Sequence, residues 1–111
     1  MKILLAIDGS PCSRKILTYV ASNEVWFRPD FSYILLYVVG TAAGVDEAVR
    51  EARPALDDAS LFLNSQLGIE PVRAVRVGKP AIAIADYAHR NQCNLVVMGS
   101  HGHGSLSALV L

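Results

Sequence analysis

What most restricts this chain is a repeated pairing of short, almost purely apolar segments with longer stretches of helical periodicity. Residues 2–8 (KILLAID) run from Ile3 to Ile7 without a polar side chain before Asp8 and Gly9 close the segment. Residues 32–39 (SYILLYVV) do the same and stop at Gly40. Strands with no polar side are buried on both faces, which means a parallel sheet with helices above and below. Between these two runs, Ser10 and Pro11 read as N-cap and first helical residue. Cys12, Ile16, Leu17 and Val20 then fall on one helical stripe, which Asn23 ends.

The alternation continues. Val45, Ala48, Val49, Ala52, Leu56, Ala59, Leu63 and Leu67 recur at helical spacing, with Pro54 inside the pattern and Gly68 as its stop. Pro54 is expected to kink or break that helix. Residues 72–77 (VRAVRV) alternate apolar and basic, the pattern of an edge strand with one solvated face. Arg73 and Arg76 fall on its opposite faces, so they form no shared basic patch. Gly78 turns the chain, Pro80 opens a helix lined by Ile82, Ala85 and Ala88, and residues 95–98 (LVVM) form a fourth short strand. Residues 106–111 read as the first turns of a further helix. The order β-α-β-α-β-α-β is an open parallel α/β sheet with right-handed crossovers and helices on both faces, Rossmann-like, in a single domain over residues 1–111.

Charge and length exclude several roles. Ten Lys and Arg against ten Asp and Glu leave no net charge, so nothing marks nucleic acid or an anionic membrane as a partner. The longest apolar run, residues 33–39, is far short of the ~20 residues that cross a bilayer. The apolar stretch after Lys2 is also too short for a secretory signal. Cys12 and Cys93 make neither a disulfide framework nor a zinc pattern. The expectation is a cytoplasmic protein with reduced thiols. Trp26 and Phe27 are expected to fold back onto the core, with an exposed partner patch as the other reading.

Ligands of open parallel sheets bind beyond the carboxyl ends of the strands, where strand order reverses. Asp8, residues 38–40 and the loop Gly99-Ser100-His101-Gly102-His103-Gly104-Ser105 all occupy strand ends. With the first and fourth strands adjacent, Asp8 and Gly99 face each other across one crevice. Glycines allow close backbone approach, and successive N–H groups make an anion nest. A helix starting near Ser105 would add its dipole. The loop is neither a P-loop nor a dinucleotide fingerprint, and Gly78-Lys79 lacks the other P-loop residues. Phosphate binding and a bare chain-reversing turn both fit this composition. His101 and His103 lack an evident third metal ligand. Ser10, Ser100 and Ser105 have no nucleophile elbow or activating acid–His pair, so no catalytic residue is assigned. His89 reads as a surface residue near a helix end.

The segments KILLAIDGS, LLYVV, GKP and NLVVMGSHGHGS, taken together, resemble the universal stress protein family over essentially the whole chain. The resemblance implies a five-stranded parallel sheet in the order 3-2-1-4-5. It also implies binding of ATP or another adenine nucleotide, with Mg²⁺ as an optional companion, through Gly-x2-Gly-x9-Gly-Ser/Thr. Gly99 and Gly102 match its first two glycines, and the third would fall one residue past Leu111. The end of the last helix and the fifth strand would likewise lie beyond 1–111. That leaves residues 95–98 as an unpaired apolar edge, open to another chain. Carried over, Ala6, Asp8 and the backbone of Val38 take the adenine and ribose. Gly99, Ser100, His101, Gly102, His103, Gly104 and Ser105 take the phosphates, and Met98 counts among the nucleotide-binding residues. Position 103 is commonly Arg or Lys in relatives, and an imidazole there is a weaker, pH-dependent phosphate partner. The implied role is a stress-response sensor or regulatory module, homodimeric in its full-length form, acting on a protein partner. The alternatives are a nucleotide-free dimeric interaction module and a slow ATP hydrolase acting as a timer.

Overall fold

A computed structural model describes residues 1–9, 11–99 and, as strand backbone, 106–110. The first apolar segment becomes strand β1 (Lys2–Ile7), and Pro11 opens helix α1 (Pro11–Ser22). The Asn23 side-chain Nδ2 donates back to the Tyr19 carbonyl at 2.7 Å and closes that helix. The second segment is β2 (Ser32–Val39). Helix α2 (Val45–Leu67) runs through Pro54 as one continuous element, so of the kink or break expected there the break does not occur. Proline removes only one backbone donor, and the buried Ala52, Leu56, Ala59 and Leu63 hold the helix on the sheet on either side of it. It ends at Gly68, whose φ of 67° lets the Gly68 and Ile69 N–H groups reach the Asn64 and Leu63 carbonyls.

Strand β3 (Val72–Val77), helix α3 (Pro80–Arg90) and strand β4 (Leu95–Gly99) follow. The expected stripe of α3 is corrected. Ile84, Tyr87 and Ala88 are the buried residues, while Ile82 is 66% exposed and Ala85 faces solvent. Likewise Phe27 packs into the core but Trp26 stays 74% exposed.

The sheet runs β3-β2-β1-β4, all parallel, as the alternation of elements implied. A strand β5 (Leu106–Val110) extends it, pairing antiparallel with β4 from Leu95↔Val110 to Gly99↔Leu106. This corrects two expectations. Residues 106–110 form strand rather than helix, and residues 95–98 have no unpaired edge. The open hydrogen-bonding row of β4 supplies the reason, since an apolar segment a few residues downstream satisfies it by folding back.

Side-chain parity divides the core. Ile3, Leu5 and Ile7 of β1 with Tyr33 and Leu35 of β2 pack under α1 and α2. Leu4 of β1 with Ile34 and Leu36 of β2 pack under α3 with Tyr87 and Ala88. Right-handed crossovers require this. Moving from β1 outward to β3 puts α1 and α2 on one face, and returning to β4 puts α3 on the other. The direction reverses between β1 and β4, and a crevice opens there at the carboxyl ends of the strands. Asn94 fixes the opposite end. Its side chain accepts from the Lys2 N–H at 2.7 Å, and its own N–H donates to the Lys2 carbonyl at 2.8 Å.

Candidate functional site

Parity places Ala6, Val38 and Met98 on the α3 face, packed at the margin of that face's core. They become the apolar floor of a cleft of about 780 Å³ at the carboxyl end of the sheet. Asp8 and Gly99 line its inner wall, Cys12, Lys15 and Ile16 of α1 one side, and Lys79, Pro80, Ala81 and Ile84 the other. The volume falls in the range of small-molecule sites, as does the mixture of apolar walls with a few polar groups. Five of the residues singled out in the sequence, Ala6, Asp8, Val38, Met98 and Gly99, therefore share one cavity. Ser100, His101, Gly102, His103, Gly104 and Ser105 lie outside the described residues, as does the proposed cap Ser10. The dipole expected from a helix at 106 is withdrawn, because those residues are strand.

Asp8 is held by a residue that sequence reasoning missed. The Ser13 hydroxyl accepts hydrogen bonds from the Asp8 N–H at 2.8 Å and the Gly9 N–H at 3.1 Å, and donates to Asp8 Oδ1 at 2.9 Å. Ser13 is buried, so its one hydroxyl satisfies two strand-end donors and aims the carboxylate. The sequence signal was available: a serine in the first helical turn after Asp-Gly is well placed to bond the preceding backbone. Gly9 takes φ 77°, the left-handed conformation that lets the chain turn from β1 into α1.

Gly99 has a packing role of its own. A Cβ there would lie 2.9 Å from Cys12 Sγ, closer than real contacts allow, so glycine lets α1 sit against β4. Cys12 is half-buried and Cys93 buried, and neither forms a disulfide. Burial pushes the Cys93 thiol up, against a smaller opposing effect of Lys2. Among the described residues no group of three or more His, Cys, Asp and Glu could hold a metal, and no helix is long and apolar enough to cross a membrane.

Behind the Asp8 wall, between α1 and α2, lies a second groove of about 630 Å³ that includes Arg14, Tyr37, Glu51, Pro54 and Asp58. Arg14 there is paired to Asp58 at 2.9 Å. Burial raises the Tyr37 phenol, helped by the charges of Glu51 and Asp8. On the far edge, Arg73 turns toward Asp57 and Ser60 of α2, while the Arg76 guanidinium stacks 4.9 Å from the Tyr87 ring of α3. The two arginines thus face opposite sides, as the alternation implied.

Comparison with known proteins follows the same lines. The sequence model of the universal stress protein family matches residues 1–111. No curated protein sequence matches the chain. Among solved structures, a protein of that family from Burkholderia pseudomallei superposes with a TM-score of 0.70 at 24% identity, over 90% of this chain and 81% of that one. The universal stress protein of Lactobacillus plantarum gives 0.72 at 20% identity, over 93% and 81%. A universal stress protein family member from Arabidopsis thaliana, solved with AMP bound, gives 0.71 at 19% identity, over 95% and 79%. At these identities the structural likeness speaks for the fold.

Proposed function

This chain belongs to the universal stress protein family, and we propose that it binds ATP or a related adenine nucleotide in the cleft between α1 and α3, as a regulatory module of the stress response. The observation that carries this reading is the convergence of Ala6, Asp8, Val38, Met98 and Gly99 on one cavity. Ala6, Val38 and Met98 offer an apolar bed for a flat base. Asp8, held by Ser13, offers a fixed acceptor for ribose hydroxyls at the strand end. Gly99 is followed in sequence by Ser100, His101, Gly102, His103, Gly104 and Ser105, and the family resemblance assigns those residues to the phosphate side of the proposal. The AMP in the Arabidopsis structure supports the choice of an adenine ligand.

The mechanism is differential binding. Nucleotide favours one arrangement of the surface around residues 99–105, and a protein partner reads that surface in the cytoplasm, with the chain acting as a homodimer. The ligand shifts this equilibrium only by its difference in affinity for the two arrangements.

The test is to denature the purified protein, identify released nucleotide by chromatography, and titrate ATP by calorimetry. Saturable heat at one site per chain is expected, abolished by Gly102→Val, whose side chain blocks backbone approach. Absence of both bound nucleotide and heat rejects the reading in favour of a nucleotide-free interaction module. Unchanged affinity in the Gly102 variant removes the loop from the site.

A further inference from the structure

We propose that Lys15 and Lys79 form a two-sided cationic rim that makes the cleft selective for the polyphosphate form of its ligand over the nucleoside. This rests on the nucleotide reading above. It adds two side-chain cations, on opposite walls, to the phosphate contacts proposed for residues 99–105.

The first observation is charge placement. Among the described residues lining the cleft, the charged ones are Asp8, Lys15 and Lys79, with the cations on opposite walls. Lys15 projects from α1, and Lys79 stands at the N-cap of α3. The groove behind Asp8 has the reverse balance, with Asp8, Glu51 and Asp58 against Arg14, itself already paired to Asp58. An anion arriving at this end of the sheet is therefore attracted to one side of the Asp8 wall and repelled from the other.

The second observation concerns the helices. Helix N-termini favour carboxylates in their first turn. Helix α2, which does not line the cleft, follows this with Asp46 and Glu47. The two helices that line it, α1 and α3, have no acidic residue in their first turns. Helix α3 goes further, with a lysine at its N-cap that makes no side-chain capping bond and works against the helix dipole. Its only capping role is through the backbone, where the Lys79 carbonyl accepts from the Ala83 N–H at 2.9 Å. For helix stability alone Ser or Asp would serve better at that position. A cation at the N-terminus of α3, whose first turn carries no carboxylate, suits an external anion as the group that neutralises both.

ATP, AMP and adenosine are titrated by calorimetry into the wild-type chain and the Lys15→Met and Lys79→Met variants, at two salt concentrations. The rim predicts affinity rising with phosphate number. It predicts a loss of about five- to tenfold for ATP in each variant, with adenosine moved by less than twofold, and a shallower salt dependence for ATP in the variants. A role in folding alone would weaken ATP and adenosine together. Inorganic tripolyphosphate, followed by thermal shift, isolates the charge term from the base. It should stabilise the wild-type chain and not the double variant. An unchanged ATP-to-adenosine ratio with an unchanged tripolyphosphate shift overturns the rim and leaves the nucleotide site standing. A lysine-dependent tripolyphosphate shift without adenosine or ATP binding supports the rim and removes the adenine reading. No response to any of the four ligands overturns both.

Discussion

Ser13 joins fold and site through one hydroxyl, because it satisfies two backbone donors and fixes Asp8 at the same time. Ser13→Ala leaves two part-buried donors without their protein partner, which costs about 1 kcal/mol. Chemical denaturation should show that loss, and ATP affinity should fall with it because the carboxylate is no longer held. Gly99→Ala tests the other wall. Its Cβ meets Cys12 Sγ at 2.9 Å, and overpacking of this kind costs about 1–3 kcal/mol. Cys12→Ala in the same chain should recover part of the loss, whereas no recovery would show that the strain lies elsewhere. Tyr33 gives a pH signature. Burial, aided by the charge of Asp30, pushes its phenol up to about 12, against an ordinary value of 10.0. The folded state therefore keeps a proton that the unfolded chain releases first. Stability from this group is complete below pH 10 and drains away between pH 10 and about 12. Tyr33→Phe should flatten that decline in urea titrations, at the cost of the 2.8 Å bond its hydroxyl donates to the Arg28 carbonyl.

Elements show where sequence reading succeeds and where it fails. β1 and β2 were legible because their apolar runs leave no polar face, and only a doubly covered sheet buries such strands. Gly68 was legible as a helix stop for a local reason, its left-handed φ of 67°. Gly68→Ala should cost about 1 kcal/mol in thermal unfolding, since a Cβ is strained in that conformation even with open space around it. The stripe of α3 was misread because residues 80–88 (PAIAIADYA) are apolar on several sides, and periodicity then selects no face. The sheet decides instead, taking Ile84, Tyr87 and Ala88. Strand β5 was misread for a related reason. A run as short as residues 106–110 fits helix or strand equally, and the deciding partner, the edge of β4, is distant from any local pattern.

At the scale of the whole molecule, strand order does what no single residue can. It brings Ala6, Val38 and Met98, far apart in sequence, onto one floor and opens a crevice above them. The apolar and glycine members of the site were visible as strand ends. Lys15, Lys79 and the α3 wall were not, because nothing local marks which exposed cation overlooks a cleft formed by reversal of the chain path. The overall charge balance of zero hides an uneven distribution, with cations on one side of Asp8 and carboxylates on the other. The central claim is that an adenine nucleotide occupies the α1/α3 side of that wall. Amide chemical-shift mapping of the isotope-labelled chain during titration with ATP tests it most directly. The account predicts saturable shifts at Ala6, Asp8, Val38, Gly99 and Lys79, with Glu51 and Asp58 unmoved. Shifts confined to Glu51, Asp58 and their neighbours, or none at saturating ATP, would contradict it.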